Sequence, residues 1–273
     1  MLTDAHCHPY DLADFLPNYG NEIKSSNIIA AASACTNDEF IFNEKLSHNK
    51  ENENKTVILP CFGIHPQLLK VWNQNRLIKT VIETECEKLL VQMNNLAETG
   101  RIAAIGECGF DLFNDSFRET EAVQDRLFTE HLETALLYDL PVVLHVRRAM
   151  HKIFAEIKKL SKCKAVIFHS WSGTYEEGIS LLRRGVNTYF SFGNTIMLNH
   201  KQAIRSCALF PQDRLLTETD APFQPRRGEK YSKWEDLPLI LEAASIIRNE
   251  AGNKIDVNEL EVQTEINFRK IFY

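Results

Sequence analysis

The absences in this 273-residue chain narrow its function before any motif is read. No run approaches the roughly 18 consecutive apolar residues of a membrane span, so no membrane-crossing segment is expected. The net charge is −6, so no global positive field gathers nucleic acid, and any such substrate would have to be held by local arginines or by metal. The seven cysteines, at positions 7, 35, 61, 86, 108, 163 and 207, are odd in number and include no CxxC pair. They read as reduced thiols of a cytosolic protein, not as a disulfide frame. The first apolar run starts at Met1-Leu2 and leaves no room for the charged and apolar regions of a secretory signal, which makes the cytoplasm the expected compartment. There is no low-complexity segment, detectable repeat or linker, so one domain spanning 1–273 is expected.

What is present is an alternation. With 44% hydrophobic residues the chain can bury a large core, and short apolar runs alternate with longer helical patterns. The expected strands are Leu2–His8, Asn27–Ser33, Thr56–Ile64, Ile102–Glu107, Pro141–Val146, Lys164–His169, Asn187–Phe192 and Arg214–Glu218. Helical stretches are expected at Asp38–His48, Leu77–Glu98, Phe117–Tyr138, Ala149–Lys159, Tyr175–Arg184 and Leu198–Ala208. The first connection, Pro9–Ser26, is interrupted by Pro17 and Gly20 and makes a poor helix. Lys233–Tyr273 reads as two further helices split near Gly252. Eight buried parallel strands in this rhythm predict a single α/β (β/α)₈ TIM barrel with extra C-terminal helices. An open doubly wound sheet is the alternative, but no glycine-rich phosphate turn follows the first strand.

Barrel enzymes carry their chemistry at the C-terminal ends of strands, and there this chain places ionisable residues. His6 and His8 end the first run, and their spacing of two puts both imidazoles on one face of a strand. His65, Glu107, His145, His169 and Asp220 close later runs. A lone histidine in such a place is most often a satisfied core residue; seven ionisable groups set out this regularly would be costly to bury without a purpose. Imidazole and carboxylate donors without clustered thiolate suit Zn²⁺, Mn²⁺ or Mg²⁺. His6, His8, Glu107 and Asp220 can hold one ion, and Glu107, His145 and His169 a second, with the glutamate bridging. Two ions about 3.5–4 Å apart would activate a shared water and clamp a phosphodiester. Asp220 could also act as general base.

The ordered motifs Asp4-Ala5-His6-Cys7-His8, Gly63-Ile64-His65-Pro66, Gly106-Glu107-Cys108-Gly109-Phe110-Asp111, His145-Val146-Arg147, His169-Ser170-Trp171-Ser172-Gly173 and Glu218-Thr219-Asp220-Ala221-Pro222-Phe223 resemble those of TatD-family metal-dependent deoxyribonucleases. The resemblance runs to the chain's end, including Asn267-Phe268-Arg269-Lys270-Ile271-Phe272. It implies an amidohydrolase-superfamily barrel, a divalent metal site and DNA hydrolysis, often from a 3′ end. It also implies the ligands His6, His8, Glu107, His145, His169 and Asp220, with His65 directed to substrate phosphate. Ser170 and Trp171 depart from the family's usual cysteine and phenylalanine, Phe110 from a leucine, and Arg148 from an acidic residue. These changes touch substrate preference, since no ligand is lost.

Arg147 is expected to contact phosphate or carboxylate at the mouth, or else to pair with an acid on the following helix. Arg226, Arg227 and Lys230 form a small basic loop, either a solvated face or a backbone grip. Trp171 and Phe223 either stack an unpaired base or pack against the rim. Cys7 and Cys108 read as small buried apolar residues. Glu218 either orients a ligand histidine or is a buried paired acid. His48, His131, His151 and His200 receive no role. The function expected is metal-dependent hydrolysis of DNA single strands or ends. The alternatives are the same metals acting on another ester or amide, such as a D-aminoacyl-tRNA, and a non-catalytic barrel. Many superfamily amidohydrolases bridge their metals with a modified lysine, whereas Glu107 occupies that strand here. Oligomeric state is left open, with a monomer compatible.

Overall fold

A computed structural model of the chain describes residues 1–16, 27–48, 56–69 and 79–273. Eight parallel strands, β1 (Leu2–Cys7), β2 (Ile28–Ala32), β3 (Val57–Phe62), β4 (Ala104–Asp111), β5 (Val142–Arg147), β6 (Val166–Phe168), β7 (Thr188–Phe192) and β8 (Leu215–Thr217), form one sheet in sequential order. The sheet curls into a (β/α)₈ barrel, as the alternation predicts. Its seam lies between β8 and β1, where Thr217 Oγ1 donates to Thr3 O at 3.0 Å and Asp220 N donates to His6 O at 2.9 Å.

The helices are α1 (Pro9–Ala13), α2 (Asn37–Ser47), α3 (Lys79–Glu98), α4 (Asp115–Arg118), α5 (Glu121–Leu137), α6 (Met150–Ala155), α7 (Ile157–Leu160), α8 (Tyr175–Arg183), α9 (Lys201–Leu209), α10 (Leu237–Glu250) and α11 (Val257–Phe272). Side chains that face into the barrel are mostly small or branched, including Ala5, Ala31, Ala104, Val143, Ile167 and Leu216, and Phe268 and Ile271 of α11 close their lower end. The Asn267 amide fastens that helix by donating to Gln212 O and Leu215 O, both at 2.8 Å. Outward residues such as Ile105, Leu144, Phe168 and Phe190 pack under the helix layer, against Phe128 and Leu132 of α5 and Phe210.

Three expectations need correction. β4 does not stop at Glu107 but runs on to Asp111, so the glutamate sits within the strand. Gly106 permits this: its φ is +139°, and a Cβ there would lie 2.5 Å from Val143 O, a clash only glycine avoids. The helix expected at Phe117–Tyr138 is two helices, because Gln124 Nε2 takes the Phe117 carbonyl at 3.1 Å and Thr120 Oγ1 takes it at 2.8 Å. The Ala149–Lys159 stretch is likewise broken at Glu156. Most of the Pro9–Ser26 connection, and residues 77–78 of the third helical stretch, lie outside the described residues.

Candidate metal centre

The mouth of the barrel is assembled by the backbone first. Asp220 N bonds to His6 O at 2.9 Å and His8 N to Ala221 O at 2.8 Å, so pairing at the seam brings Asp220 beside the two histidines. Beneath them Asp4 is fully buried and accepts from Thr219 Oγ1 at 2.6 Å, Thr219 N at 2.9 Å and His6 N at 3.2 Å. Burial pushes its carboxyl up to about 7 against those hydrogen bonds. Register irregularities fall between Asp4 and Cys7 on β1 and between Ile105 and Cys108 on β4. Such bulges re-aim side chains next to active sites, and these two bracket His6 and Glu107.

The donor atoms converge in two groups. In the first, His6 Nε2 lies 3.1 Å from His8 Nε2, 3.0 Å from Glu107 Oε2 and 3.6 Å from Asp220 Oδ1. His8 Nε2 lies 3.6 Å from Glu107 Oε2 and 3.5 Å from Asp220 Oδ1. In the second, Glu107 Oε1 lies 2.8 Å from both His145 Nδ1 and His169 Nε2, which are 3.3 Å apart. Glu107 therefore presents one oxygen to each group. A cation bonded to nitrogen and carboxylate oxygen at its ordinary distances holds such atoms about 3.3–3.5 Å apart; the separations here bracket that spacing, the shortest of them at hydrogen-bond distance.

The chemistry of the donors agrees with the spacing. If His6 donates its Nδ1–H to Ser33 Oγ at 3.2 Å, its Nε2 presents a lone pair to the carboxylate oxygens of Glu107 and Asp220, an arrangement a cation resolves. His169 Nδ1 is buried without a hydrogen-bond partner among the described residues, and Glu218 Oε1 lies 3.6 Å from it. Burial alone would raise the Glu107 carboxyl, yet His65, His169 and His6 around it hold it well below the ordinary carboxylate range. Asp220 is likewise lowered, against its burial, by the hydrogen bond with His8 and by the nearby histidines. Burial works against the charged form of His8 as well, but Asp220 and Glu107 push its pKa up to about 9. An incoming cation would displace such protons.

His65 belongs to the cluster but differs from the rest. Its Nδ1 accepts the Gln67 backbone N–H at 3.1 Å, so the neutral ring carries its proton on Nε2, directed at Glu107 Oε1 at 3.0 Å. It is a donor facing the cleft. Residues that the motifs did not single out hold the cluster from behind. Asp111 Oδ2 lies 3.3 Å from His145 Nε2 and accepts from Gln67 Nε2 at 2.8 Å. His131 is described by its two backbone bonds: Nε2 accepts Ile64 N–H at 2.8 Å and Nδ1 bonds Leu127 O at 2.6 Å, which anchors the residue before His65. Asp111 stood inside a quoted motif; Gln67, Ser33 and His131 carry no signal at the level of spacing.

The cluster lies in a cavity of 630 Å³ whose wall includes Asp11, Glu39, Gln67, Arg147, His200 and Phe223. The Arg147 guanidinium lies 3.7 Å over the Phe113 ring, with no carboxylate partner among the described residues. Phe223 is 48% exposed, its ring 5.2 Å from that of His8. Trp171 is the correction: it is 2% exposed, packs against Phe168 and Phe190, and donates Nε1–H to Ser206 Oγ at 3.0 Å. Its indole is committed to the helix layer and does not reach the cavity. Arg226 is also spoken for, bonded to Asp236 at 2.8 Å, whereas Arg227 and Lys230 are exposed. Cys7 and Cys108 are buried, with burial raising both thiols well above their ordinary range.

Comparison with known proteins supplies independent findings. A family model described as "TatD related DNase" matches residues 3–273. A protein of Buchnera aphidicola subsp. Acyrthosiphon pisum named an uncharacterized metal-dependent hydrolase is 30% identical, over 100% of this chain and 99% of its own. A protein of Erwinia tasmaniensis named 3′-5′ ssDNA/RNA exonuclease TatD is 33% identical, over 77% of this chain and 76% of its own. Among solved structures, the TatD homologue YjjV of Escherichia coli K12 superposes with a TM-score of 0.78 at 24% identity, covering 99% of this chain and 97% of that one.

Proposed function

Because this chain belongs to the TatD-related DNase family of metal-dependent hydrolases, we propose that it hydrolyses phosphodiester bonds in DNA, working 3′ to 5′ on single strands or exposed ends. The observation that carries the reading is the split of Glu107, with Oε2 directed at His6 and His8 and Oε1 at His145 and His169. Two divalent ions, Mg²⁺, Mn²⁺ or Zn²⁺, fit this division, one among His6, His8, Glu107 and Asp220 and one among Glu107, His145 and His169. Ions so placed acidify the attacking water and neutralise phosphate charge. The chain's own groups do the rest. Asp220, kept ionised by its surroundings, accepts a proton from the water. His65, with its proton on Nε2, and Arg147, without an acidic partner among the described residues, bind phosphate oxygens. Phe223 offers a face to an unpaired base. Relatives named for single-stranded DNA and RNA support this substrate class.

The test is cleavage of end-labelled single- and double-stranded DNA, with RNA and a D-aminoacyl-tRNA alongside, before and after chelation and with Glu107→Ala as control. Expected is stepwise shortening of single strands from the 3′ end, lost on chelation and restored by divalent metal. Cleavage indifferent to chelation and to Glu107→Ala overturns the metal reading. Hydrolysis of the aminoacyl ester with DNA untouched replaces the nuclease.

A further inference from the structure

Behind the cluster, three non-glycine residues have left-handed backbone conformations: Ser170 (φ +44°), Asp220 (φ +54°) and Gln224 (φ +51°). L-residues adopt this region at a cost, and such outliers collect where the surroundings impose a functional geometry. These three are also hydrogen-bonded to one another. Gln224 Nε2 donates to Asp220 Oδ2 at 2.6 Å and to Ser170 Oγ at 2.7 Å. Ser170 Oγ passes its own proton to Glu218 Oε1 at 2.8 Å, and the same oxygen accepts Ser170 N–H at 2.7 Å. Glu218 is fully buried, and its Oε1 faces the unpartnered His169 Nδ1 at 3.6 Å.

One primary amide thus bonds Asp220 of one half directly and extends toward His169 of the other through Ser170 and Glu218. It holds Asp220 by Oδ2, which leaves Oδ1 for His6 and His8. Through Ser170 and Glu218 it fixes the acceptor behind His169, whose Nε2 faces Glu107. We propose that Gln224 is a positioning residue that couples the two metal half-sites. Resting on the metal reading above, the proposal explains why the side chain must be an amide. A primary amide supplies two N–H donors, one for the carboxylate and one for the hydroxyl oxygen, without adding charge to the cluster. A glutamate there would set a second carboxylate against Asp220, and a methionine of similar length would leave Asp220 free to turn and Ser170 Oγ without its donor.

The test is calorimetric titration of Mn²⁺ into metal-stripped wild type, Gln224→Met and Ser170→Ala, with thermal melting of each metal-free protein. Expected is a 10- to 100-fold weakening of both binding steps in Gln224→Met, the size usual for loss of a group that orients a ligand. Ser170→Ala, which cuts the link to Glu218 but spares the bond to Asp220, should weaken one step only. Metal-free melting temperatures should stay within a few degrees of wild type, which a purely structural role would not allow. Two unchanged steps in Gln224→Met, or one weakened step there, overturn the coupling while leaving the metal reading standing. A wild type that takes up no second ion overturns the reading and the coupling with it. Should Gln224→Met fail to fold, Gln224→Glu decides: unchanged binding in both steps sinks the proposal.

Discussion

Two regions of this molecule bury histidine, and they do so in opposite ways. Between α5 and the end of β3, His131 has both ring nitrogens matched to backbone, one to a carbonyl and one to an N–H. At the mouth, the nitrogens of His6, His8, His145 and His169 face one another and two carboxylates at 2.8–3.6 Å. The first arrangement is complete without any other component, and burial lowers the His131 pKa to about 4, which keeps the ring neutral. The second turns its imidazole nitrogens and carboxylate oxygens toward one another, a donor set that divalent cations would complete. Burial or strand position alone therefore does not identify a ligand histidine. What separates the two is whether the ring's partners are already in the fold.

The largest way to test that contrast is to remove the carboxylate shared by both groups. Glu107→Ala should lower kcat/KM by about 10³-fold or more, equivalent to ~4 kcal/mol of transition-state stabilisation. It should also abolish one of the two calorimetric binding steps. His131 should behave in reverse. His131→Leu leaves Ile64 N–H unpaired and removes the second bond to Leu127 O, which keeps its helical one, and should cost about 3 kcal/mol at pH 7.5 by denaturant melts. Because the folded pKa is about 4 against an ordinary 6.5, the unfolded chain takes up the proton first as the solution is acidified. The stability due to a neutral ring is thus fully present above pH 6.5 and is lost on the way down to about pH 4. The gap between wild type and His131→Leu should narrow by up to ~3 kcal/mol across that window. A constant gap would mean that the ring is not held neutral.

The same contrast explains how far the sequence could be read. The barrel was legible because strand and helix periods alternate eight times, and the ligands because each follows an apolar run. The extent of β4 was not, since whether a strand continues past Glu107 depends on Gly106 taking a φ closed to other residues, a property of the backbone that spacing does not encode. Gln224 and Gln67 were equally hidden. Their roles come from side-chain bonds across separate segments, and a lone amide has no period; Asp111 stood inside a motif, but its bond to His145 shows only in the structure. Arg147 lies between these cases. Its place after His145 put it at the mouth, but only the structure shows its guanidinium over Phe113, with no acidic partner among the described residues. Arg147→Ala should raise KM for oligonucleotides about tenfold, near the 1.5–3 kcal/mol of a charge-assisted hydrogen bond, with kcat changed less.

The finest comparison is between two aromatic residues that the sequence left on equal terms. Trp171 and Phe223 each follow a ligand at the mouth, yet one ring is inside the helix layer and the other stands open beside His8. Stacking on an exposed ring adds about 1–3 kcal/mol per base, so Phe223→Ala should raise KM about fivefold or more for single-stranded DNA. It should leave turnover of bis(p-nitrophenyl) phosphate, which has no base to stack, at the wild-type rate. Trp171→Phe should do the converse, because the buried Ser206 hydroxyl loses the indole N–H while the cavity wall is untouched. The expected result is a loss of about 1–2 kcal/mol in stability with KM unchanged. If KM for DNA instead followed Trp171 and ignored Phe223, the strand would have to run over a part of the rim that the cavity does not reach, and the stacking role given to Phe223 would fall.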